Sequence, residues 1–376
     1  MALLIYVICA VLVHAHCSRP VRYEGSARGQ GYREFTAWRE QHGRQYSSGE
    51  ELMRRYHIFV ENLAKIRILN AERVSPDDAT FGPTQFADLT EREFKDTVLM
   101  SAWRKSPGSK MYRSNSSLPA PPASFDWTSQ SHVVTPVKNQ GQAGTCWAFA
   151  GCANVESVYG VRTGEASPDL STQALNDCDG YVDVLEGAIA CGPLGATMPG
   201  FYLWVIEEGG LMSWEDYPYC VGNGGCAPCE PPGYSSQWCG GEWPIKPCVA
   251  RDSCEAKYDR SKFVPGIKVK DFVNFPSDES ALVENLVEVG PLVAGIDATD
   301  MQLYTGGVLQ ATSCRPEQLN HAVLLVGYGQ AGEGGAPYWR AKNSWGEGWG
   351  EEGYLRIQRG EGACGINTDV TSAVLD

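Results

Sequence analysis

The chain has 376 residues, of which 43% are hydrophobic, and its 11 tryptophans and 17 tyrosines argue against a disordered polypeptide. Its formal net charge is −14 at pH 7, and the charge is unevenly distributed. Residues 18–118 hold 13 acidic and 17 basic side chains, whereas residues 119–376 hold 32 and 14, and so acidic a body excludes nucleic acid as an expected partner.

Residues 1–17 are predicted to be a signal peptide. Their apolar run from Ala2 to Val13 is too short to span a bilayer comfortably, although a buried N-terminal helix is the alternative. No later apolar stretch is long enough for a membrane span. Fourteen cysteines behind such a leader predict disulfides and an oxidising compartment, which places the chain in the secretory pathway and then the lysosome, vacuole or extracellular space.

The middle block, residues 18–120, is charged and free of cysteine once the leader is removed. Six of its residues recur at steps of three or four, which predicts one face of a helix of about five turns. They are Glu51, Arg55, Phe59, Asn62, Ile66 and Asn70. The block ends in a Pro- and Ser-rich linker that contains a glycosylation acceptor at Asn115.

The third block, residues 121–376, holds the candidate chemistry. Cys146 follows two glycines and precedes an apolar, Ala-containing stretch, so it is predicted to lie at the N-terminus of a buried helix. The helix dipole and the unpaired N–H groups there favour a thiolate and lower the thiol pKa. A lone cysteine is more often a core residue or half of a disulfide, and only its surroundings favour a nucleophile.

His321 precedes an apolar run that predicts a buried strand. It is one of two histidines in the third block, the other being His132. Asn343 and Trp345 lie further along, in a Gly- and Trp-rich stretch that predicts a turn and a strand.

These stretches resemble the papain-like cysteine proteases of the cathepsin L type. The six periodic residues match the ERFNIN motif of the family's propeptides, and two further groups resemble the motifs on either side of it. These groups are Phe35, Trp38, His42 and Tyr46 upstream, and Gly82, Thr84, Phe86 and Asp88 downstream. The resemblance implies an α+β, papain-like fold, in which a helical propeptide over residues 18–120 precedes a helical left domain and a β-barrel-like right domain.

The resemblance also implies the roles of the site residues. Cys146 would attack the peptide carbonyl as a thiolate, and His321 would pair with it and protonate the leaving amine. Asn343 would orient His321, Trp345 would shield that hydrogen bond, and the Gln140 side chain would donate to the oxyanion. No cofactor or metal is required. The protein would be the zymogen of an endopeptidase rather than of an exopeptidase, since residues 121–376 lack the paired histidines of a dipeptide-trimming loop.

Substrate selection in the family rests mainly on the residue two before the scissile bond. By resemblance, the residues that bind substrate are Gly195, Ala196, Thr197, Gly295, Leu319, Asn320 and Ala322, with Asp369 at the pocket floor. A carboxylate at that floor would admit Arg beside apolar side chains, while a solvated Asp is the alternative. The expected partners are protein substrates, the chain's own propeptide and cystatin-type inhibitors.

His321 and Asn343 lie 175 and 197 residues after Cys146, roughly 40 more than the papain-type spacing. The Cys-rich insertion, residues 220–254, supplies the excess. It holds Cys220, Cys226, Cys229, Cys239, Cys248 and Cys254. Cys226 and Cys229 have the spacing of zinc ligands, but the insertion contains no histidine, so disulfides are the stronger prediction. A surface knob, a partner site and a cleft-edge loop all remain open as its role.

By resemblance Cys314 pairs with Cys364, and Cys178 pairs with a cysteine of the insertion. Ala143 stands where the family has the usual partner of Cys191, so Cys191 is expected to lose that partner. Eleven cysteines remain in the third block beside Cys146, and this odd number leaves one over, for which Cys152 is the best candidate.

Three other functions are alternatives to the peptidase. They are a catalytically silent relative, a scaffold for the insertion, and a middle block that acts as a free protease inhibitor. The silent relative is disfavoured because Cys146, His321, Asn343 and Gln140 are all present. Activation at acid pH is expected, because carboxylates that hold the basic middle block would become protonated.

Overall fold

The computed structural model describes residues 25–100, 103, 110–114, 119–243, 250–332 and 334–376. The predicted signal peptide, the acceptor Asn115 and Cys248 lie outside the described residues. The chain forms two compact units that divide between Val60 and Glu61. None of the helices described is both long and apolar enough to cross a membrane.

The helices are α1 (Gly25–Gln41), α2 (Gly49–Ala71), α3 (Glu91–Thr97), α4 (Cys146–Thr163), α5 (Thr172–Cys178), α6 (Met198–Glu208), α7 (Cys254–Lys257) and α8 (Glu279–Val289). The strands are β1 (Thr80–Phe81), β2 (Phe125–Asp126), β3 (Val182–Asp183), β4 (Ala188–Ile189), β5 (Val269–Asn274), β6 (Leu292–Ile296), β7 (Tyr304–Gly306), β8 (Val308–Leu309), β9 (His321–Gln330), β10 (Pro337–Lys342), β11 (Tyr354–Gln358) and β12 (Val370–Leu375).

An aromatic cluster holds the first unit together. The ring of Phe35 on α1 lies 6.0 Å from Trp38 and 5.4 Å from Phe59 on α2, and Tyr46 between the helices lies 6.2 Å away. Phe35 and Phe59 are fully buried. The aromatic residues upstream therefore pack against the periodic face of α2, which confirms the predicted helix.

In the second unit, the asparagines of that same face hold the chain that follows α2. Asn62 donates to the carbonyls of Ala87 and Leu89 at 2.8 and 2.9 Å. Asn70 donates to the carbonyl of Phe81 at 2.8 Å and accepts from its N–H at 3.0 Å. β1, fixed in this way, pairs antiparallel with β7.

The helical half of the second unit is built around α4. This helix is apolar nearly all round, so it is buried on most faces, as predicted. Gly151 permits a close approach to α6, because a Cβ there would lie 2.6 Å from the ring of Phe201. Trp147 and Tyr202 complete the core between these helices.

The other half is an eight-stranded sheet in the order β5-β12-β6-β9-β10-β11-β8, with β2 added beside β9. Its ladders are antiparallel except where β8 pairs with β11. Nine of the ten residues of β9 are buried, which suits a central strand. The predicted α+β class is confirmed; within the described residues no ladder joins β5 to β8, so the barrel-like half is an open, curved sheet rather than a closed barrel.

Disulfides join the insertion to the body. The described bridges are Cys178–Cys254, Cys191–Cys239, Cys220–Cys226 and Cys314–Cys364. The predicted pairings of Cys178 and Cys314 are confirmed. Cys191 gains a new partner within the insertion, and among the described cysteines Cys146 and Cys152 keep free thiols, as expected for Cys152. Cys226 and Cys229 are both disulfide-bonded, which overturns the zinc alternative.

Candidate active site

Cys146 is the first residue of α4 and is fully buried. The preceding residue, Thr145, makes no capping bond to the first turn; its hydroxyl bonds Tyr219 Oη at 2.9 Å instead. The amides of that turn are thus left to act on the thiol or on a bound oxygen atom. The predicted location of Cys146 at a helix N-terminus is where the structure places it.

His321 begins β9 and is held by two side chains from the segment after β10. Its Nε2 lies 2.8 Å from Oδ1 of Asn343, and its ring centroid lies 4.7 Å from that of Trp345. The Asn343 Oδ1 also accepts a hydrogen bond from the N–H of Ser344 at 2.8 Å. This second bond holds the amide with its oxygen toward His321. Because Trp345 is fully buried, it keeps water from the His–Asn hydrogen bond.

The thiol of Cys146 lies at the start of β9. The backbone amide of Ala322, the residue after His321, bonds the sulfur of Cys146, as do the amides of Trp147 and Cys146 itself. These three bonds favour the thiolate form. Nδ1 of His321 has no hydrogen-bond partner among the described residues. With Nε2 engaged by Asn343, Nδ1 is the nitrogen available to exchange a proton with Cys146.

The pKa of the Cys146 thiol is shifted in the direction opposite to the predicted one. Burial raises the pKa of Cys146 to about 12, which outweighs the opposing effect of the three amides. Burial also lowers the pKa of His321 to about 4, although the hydrogen bond that its Nε2 donates to Asn343 opposes this shift. Between those values the pair is a neutral thiol and a neutral imidazole, because a covered site disfavours both charges.

Gln140 is fully buried, and a residue from the middle block occupies its side-chain donor. Its Nε2 donates to the carbonyl of Val98 at 2.9 Å and to that of Ala143 at 2.8 Å. Its Oε1 accepts from the Ser344 hydroxyl at 2.6 Å, which orients the amide. The N–H expected to stabilise an oxyanion is therefore directed at the Val98 carbonyl oxygen.

The covering segment consists of residues 98–100 and Trp103. The Leu99 carbonyl lies 3.2 Å from the Cβ position of Gly144, and the Met100 N–H donates to the carbonyl of Asn320 at 2.9 Å. Met100 is almost completely buried. This segment runs between the two halves of the second unit and covers Cys146.

Trp103 occupies the predicted specificity pocket. A Cβ at Gly295 would lie 2.7 Å from its ring and 3.1 Å from Leu319, so the missing side chain makes room for the indole. The indole N–H donates to Oδ2 of Asp369 at 2.9 Å. Asp369 is buried, which disfavours the alternative of a solvated carboxylate.

The remaining predicted substrate residues divide into two groups. Gly195, at φ 122°, has its Cβ position 3.3 Å from the Met100 side chain, and Ala196 follows it. The Thr197 hydroxyl instead caps α6 through Gly200 N–H, so it supports the wall from behind. The Asn320 side chain likewise bonds to Asp297 at 3.0 Å, and only its carbonyl reaches the covering segment.

Sequence reasoning missed several functional contacts. Ser344, which orients Gln140, lies within the motif that identified Asn343, so its position was a usable signal. Tyr219 donates to the Gln140 carbonyl at 2.7 Å and lies at the opening of the Cys-rich insertion. Nothing in the local sequence indicates the contacts of Val98 and Trp103, because they depend on the path that a distant segment takes across the body.

Residues 121–374 match the family model described as papain family cysteine protease, and residues 35–94 match the cathepsin propeptide inhibitor domain. The chain is 31% identical to Cysteine proteinase 1 of Dictyostelium discoideum over 91% of this chain and 92% of that protein. It is 35% identical to Cathepsin F of Drosophila melanogaster over 91% of this chain and 50% of that protein. Among solved structures, digestive procathepsin L 3 of Tenebrio molitor larval midgut matches with a TM-score of 0.72 and 30% identity, covering 92% of this chain and 99% of that one.

Proposed function

Because the chain belongs to the papain family of cysteine proteases, we propose that Cys146 is its nucleophile and His321 its acid–base partner. The family and its propeptide inhibitor domain make the chain a thiol-dependent endopeptidase produced as a zymogen. The observation that carries the assignment is the 2.8 Å contact from His321 to Asn343 beside a thiol at a helix N-terminus.

Acylation begins once the covering segment leaves and the pair becomes hydrated. The proton then moves from the Cys146 thiol to His321 Nδ1, and the thiolate attacks the substrate carbonyl carbon. The developing oxyanion accepts from the Gln140 side chain and from the backbone N–H of Cys146. The tetrahedral intermediate collapses as the imidazolium gives its proton to the amine, which leaves, and a thioester remains.

Deacylation uses the same groups in reverse. His321, now neutral, takes a proton from a water molecule that attacks the thioester carbonyl, and the thiolate leaves. Asn343 holds the ring in one orientation throughout, and Trp345 excludes water from their hydrogen bond. An amide suffices for this orienting role because the imidazolium is already paired with the thiolate.

The precursor is inhibited at the same groups. The Val98 carbonyl takes the Gln140 donor, Met100 and Trp103 occupy the cleft, and their burial of the pair removes the charges that catalysis needs. We assign residues 18–120 to the propeptide and residues 121–376 to the mature peptidase.

The substrate preference follows from Asp369. A buried carboxylate at the pocket floor, which accepts an indole N–H in the precursor, suits an Arg guanidinium or a polar tip on an apolar body. The mature enzyme should accept Arg as well as apolar residues two before the scissile bond.

Cystatin-type proteins are the expected inhibitors, and the lysosome, vacuole or extracellular space is the expected destination in the secretory pathway.

Replacing the oxyanion donor tests this assignment. Gln140→Ala in the acid-matured protein should lower kcat by about 100-fold with little change in KM, because the lost hydrogen bond strengthens only in the transition state. The exposed neighbour Gln142 provides a matched control, Gln142→Ala, which should keep wild-type kinetics. A Gln140 variant with unchanged kcat would remove this residue from the mechanism.

A further inference from the structure

A cavity of about 190 Å³ lies where the Cys-rich insertion meets the helical half of the second unit. One side is formed by the turn before α6 and the other by the insertion. The lining residues used here are Leu194, Gly195 and Ala196 from the body and Gln237, Trp238 and Cys239 from the insertion. Leu194 and Trp238 give it an apolar surface, and both are only partly buried.

The insertion holds Trp238 in a fixed turn. The N–H groups of Trp238 and Cys239 both donate to the Ser235 carbonyl, at 3.0 and 2.8 Å, and the Tyr234 hydroxyl donates to the Gly241 carbonyl at 2.9 Å. The Cys191–Cys239 bridge then ties this turn to the body next to Trp238. A wall whose backbone is fixed in this way loses little entropy when it binds a ligand.

The insertion also makes close contacts with the body at two glycines. A Cβ at Gly180 would lie 2.3 Å from the carbonyl oxygen of Pro232, and one at Gly192 would lie 3.3 Å from Pro231. Glycine is therefore required at position 180 for the insertion to pack so closely, whereas a Cβ at Gly192 would only come into tight van der Waals contact with Pro231. This close packing holds the wall that carries Trp238 against the helical half of the second unit.

Gly195 is common to the cavity and the catalytic cleft. Met100 of the covering segment lies 3.3 Å from the Cβ position of this glycine, and the same glycine lines the cavity. Along the cleft the covering segment passes from Gln140 to Gly195 and then to the Asp369 pocket on the opposite wall. The cavity thus borders the path that an extended peptide would take.

In an extended peptide, successive side chains point to opposite sides. If one residue fills the Asp369 pocket on the sheet side, the next residue away from the scissile bond faces the helical side, where Trp238 lies. We propose that Trp238 of the Cys-rich insertion forms a second specificity subsite, which selects an aromatic or large aliphatic side chain three residues before the scissile bond. This inference rests on the proposed endopeptidase function and gives the insertion a role at the edge of the cleft.

The test uses the full chain matured at acid pH and capped tripeptidyl reporters with Arg before the scissile bond and Leu for the Asp369 pocket. The third position is either Phe or Gly, and the readout is the ratio of the two kcat/KM values. Wild type should prefer Phe by about tenfold, a factor typical of one apolar side chain in an open pocket. Trp238→Ala should bring the ratio close to one, and Trp238→Phe should largely restore it.

Trp243→Ala is the size-matched control, because Trp243 lies in the same insertion but packs on Tyr234, with ring centroids 5.1 Å apart. It should keep the wild-type ratio. A wild-type enzyme that cleaves both reporters at equal rates, or a Trp238→Ala variant that retains the preference for Phe, would overturn the subsite and leave the proposed function intact. A wild-type protein that cleaves neither reporter, nor a dipeptidyl one, would overturn both.

Discussion

The Asp369 carboxylate bonds Trp103 in the precursor and is expected to bind substrate in the mature enzyme. Its carboxylate is buried and accepts the indole N–H of Trp103 at 2.9 Å. Burial of a charged group is costly unless a donor or cation accompanies it. When the propeptide leaves, we expect a substrate guanidinium to replace the indole, so that the same residue would contribute to inhibition and to specificity.

Replacing this carboxylate should change substrate choice rather than catalysis. Asp369→Ala should lower kcat/KM for a reporter with Arg two before the scissile bond by about 10- to 100-fold, because the paired charge is lost. A matched Leu reporter should be cleaved at close to the wild-type rate. Equal losses for both reporters would show that Asp369 serves the structure of the enzyme and not its specificity.

At the scale of elements, the covering segment is held from both sides. Upstream, Phe86 and Phe94 each lie 5.4 Å from the Trp345 ring, and the Gln85 side chain donates to the Trp345 carbonyl at 2.8 Å. Downstream, Trp103 is inserted beside Gly295. The same tryptophan that shields the His–Asn pair thus anchors the propeptide.

Removing the downstream anchor should weaken latency. Trp103→Ala should raise the hydrolysis of a dipeptidyl reporter by the unprocessed full chain at pH 7 by about tenfold or more, since the lost burial of an indole favours the open cleft. Trp103→Phe keeps an aromatic ring without the N–H and should have a smaller effect. Unchanged latency in Trp103→Ala would mean that residues 98–100 alone close the cleft.

For the whole molecule, acid activation through carboxylates that hold the basic middle block stays a prediction, and two described ion pairs between that block and the body support it only weakly. Lys65 lies 3.9 Å from Asp300, and Lys110 pairs with Asp271, but both lysines are largely or partly exposed, so each pair stabilises the closed state little. Burial also raises the pKa of Asp300, so its protonation does not favour release. His321 is the stronger candidate.

The closed cleft lowers the pKa of His321 to about 4, whereas a hydrated imidazole has a pKa of about 6.5. The closed state binds this proton less tightly than the open state. Its stability is therefore complete above about pH 6.5 and is lost as the pH falls toward 4, by an amount on the order of 3 kcal/mol.

Hydrogen exchange of the Met100 amide, which bonds the Asn320 carbonyl, reports this opening. In the full chain carrying Cys146→Ala, which cannot process itself, protection of this amide should fall as the pH drops through that window, after correction for intrinsic exchange. Adding His321→Gln should flatten the dependence. A dependence that survives in the double variant would assign acid activation to the carboxylates instead.

The parts of this molecule that were predictable are those encoded locally. The periodic face of α2, the start of α4 at Cys146 and the start of β9 at His321 each depend on a few adjacent residues. The partner of Cys191 and the Val98 carbonyl on Gln140 could not be predicted, because both depend on the path of segments more than 40 residues away. The prediction of a lowered pKa for Cys146 was wrong for the same reason, because the effect of burial by the covering segment outweighs the effect of the helix terminus.

Cys146 is expected to perform peptide hydrolysis once the propeptide is removed. The most direct test is cleavage of Leu-Arg and Arg-Arg dipeptidyl reporters by the acid-matured protein, with Cys146→Ala, its propeptide removed by an added protease, beside it. We expect wild type to cleave both reporters and Cys146→Ala to cleave neither. Equal activity in the two proteins, or none in either, would show that Cys146 is not the nucleophile of an active peptidase.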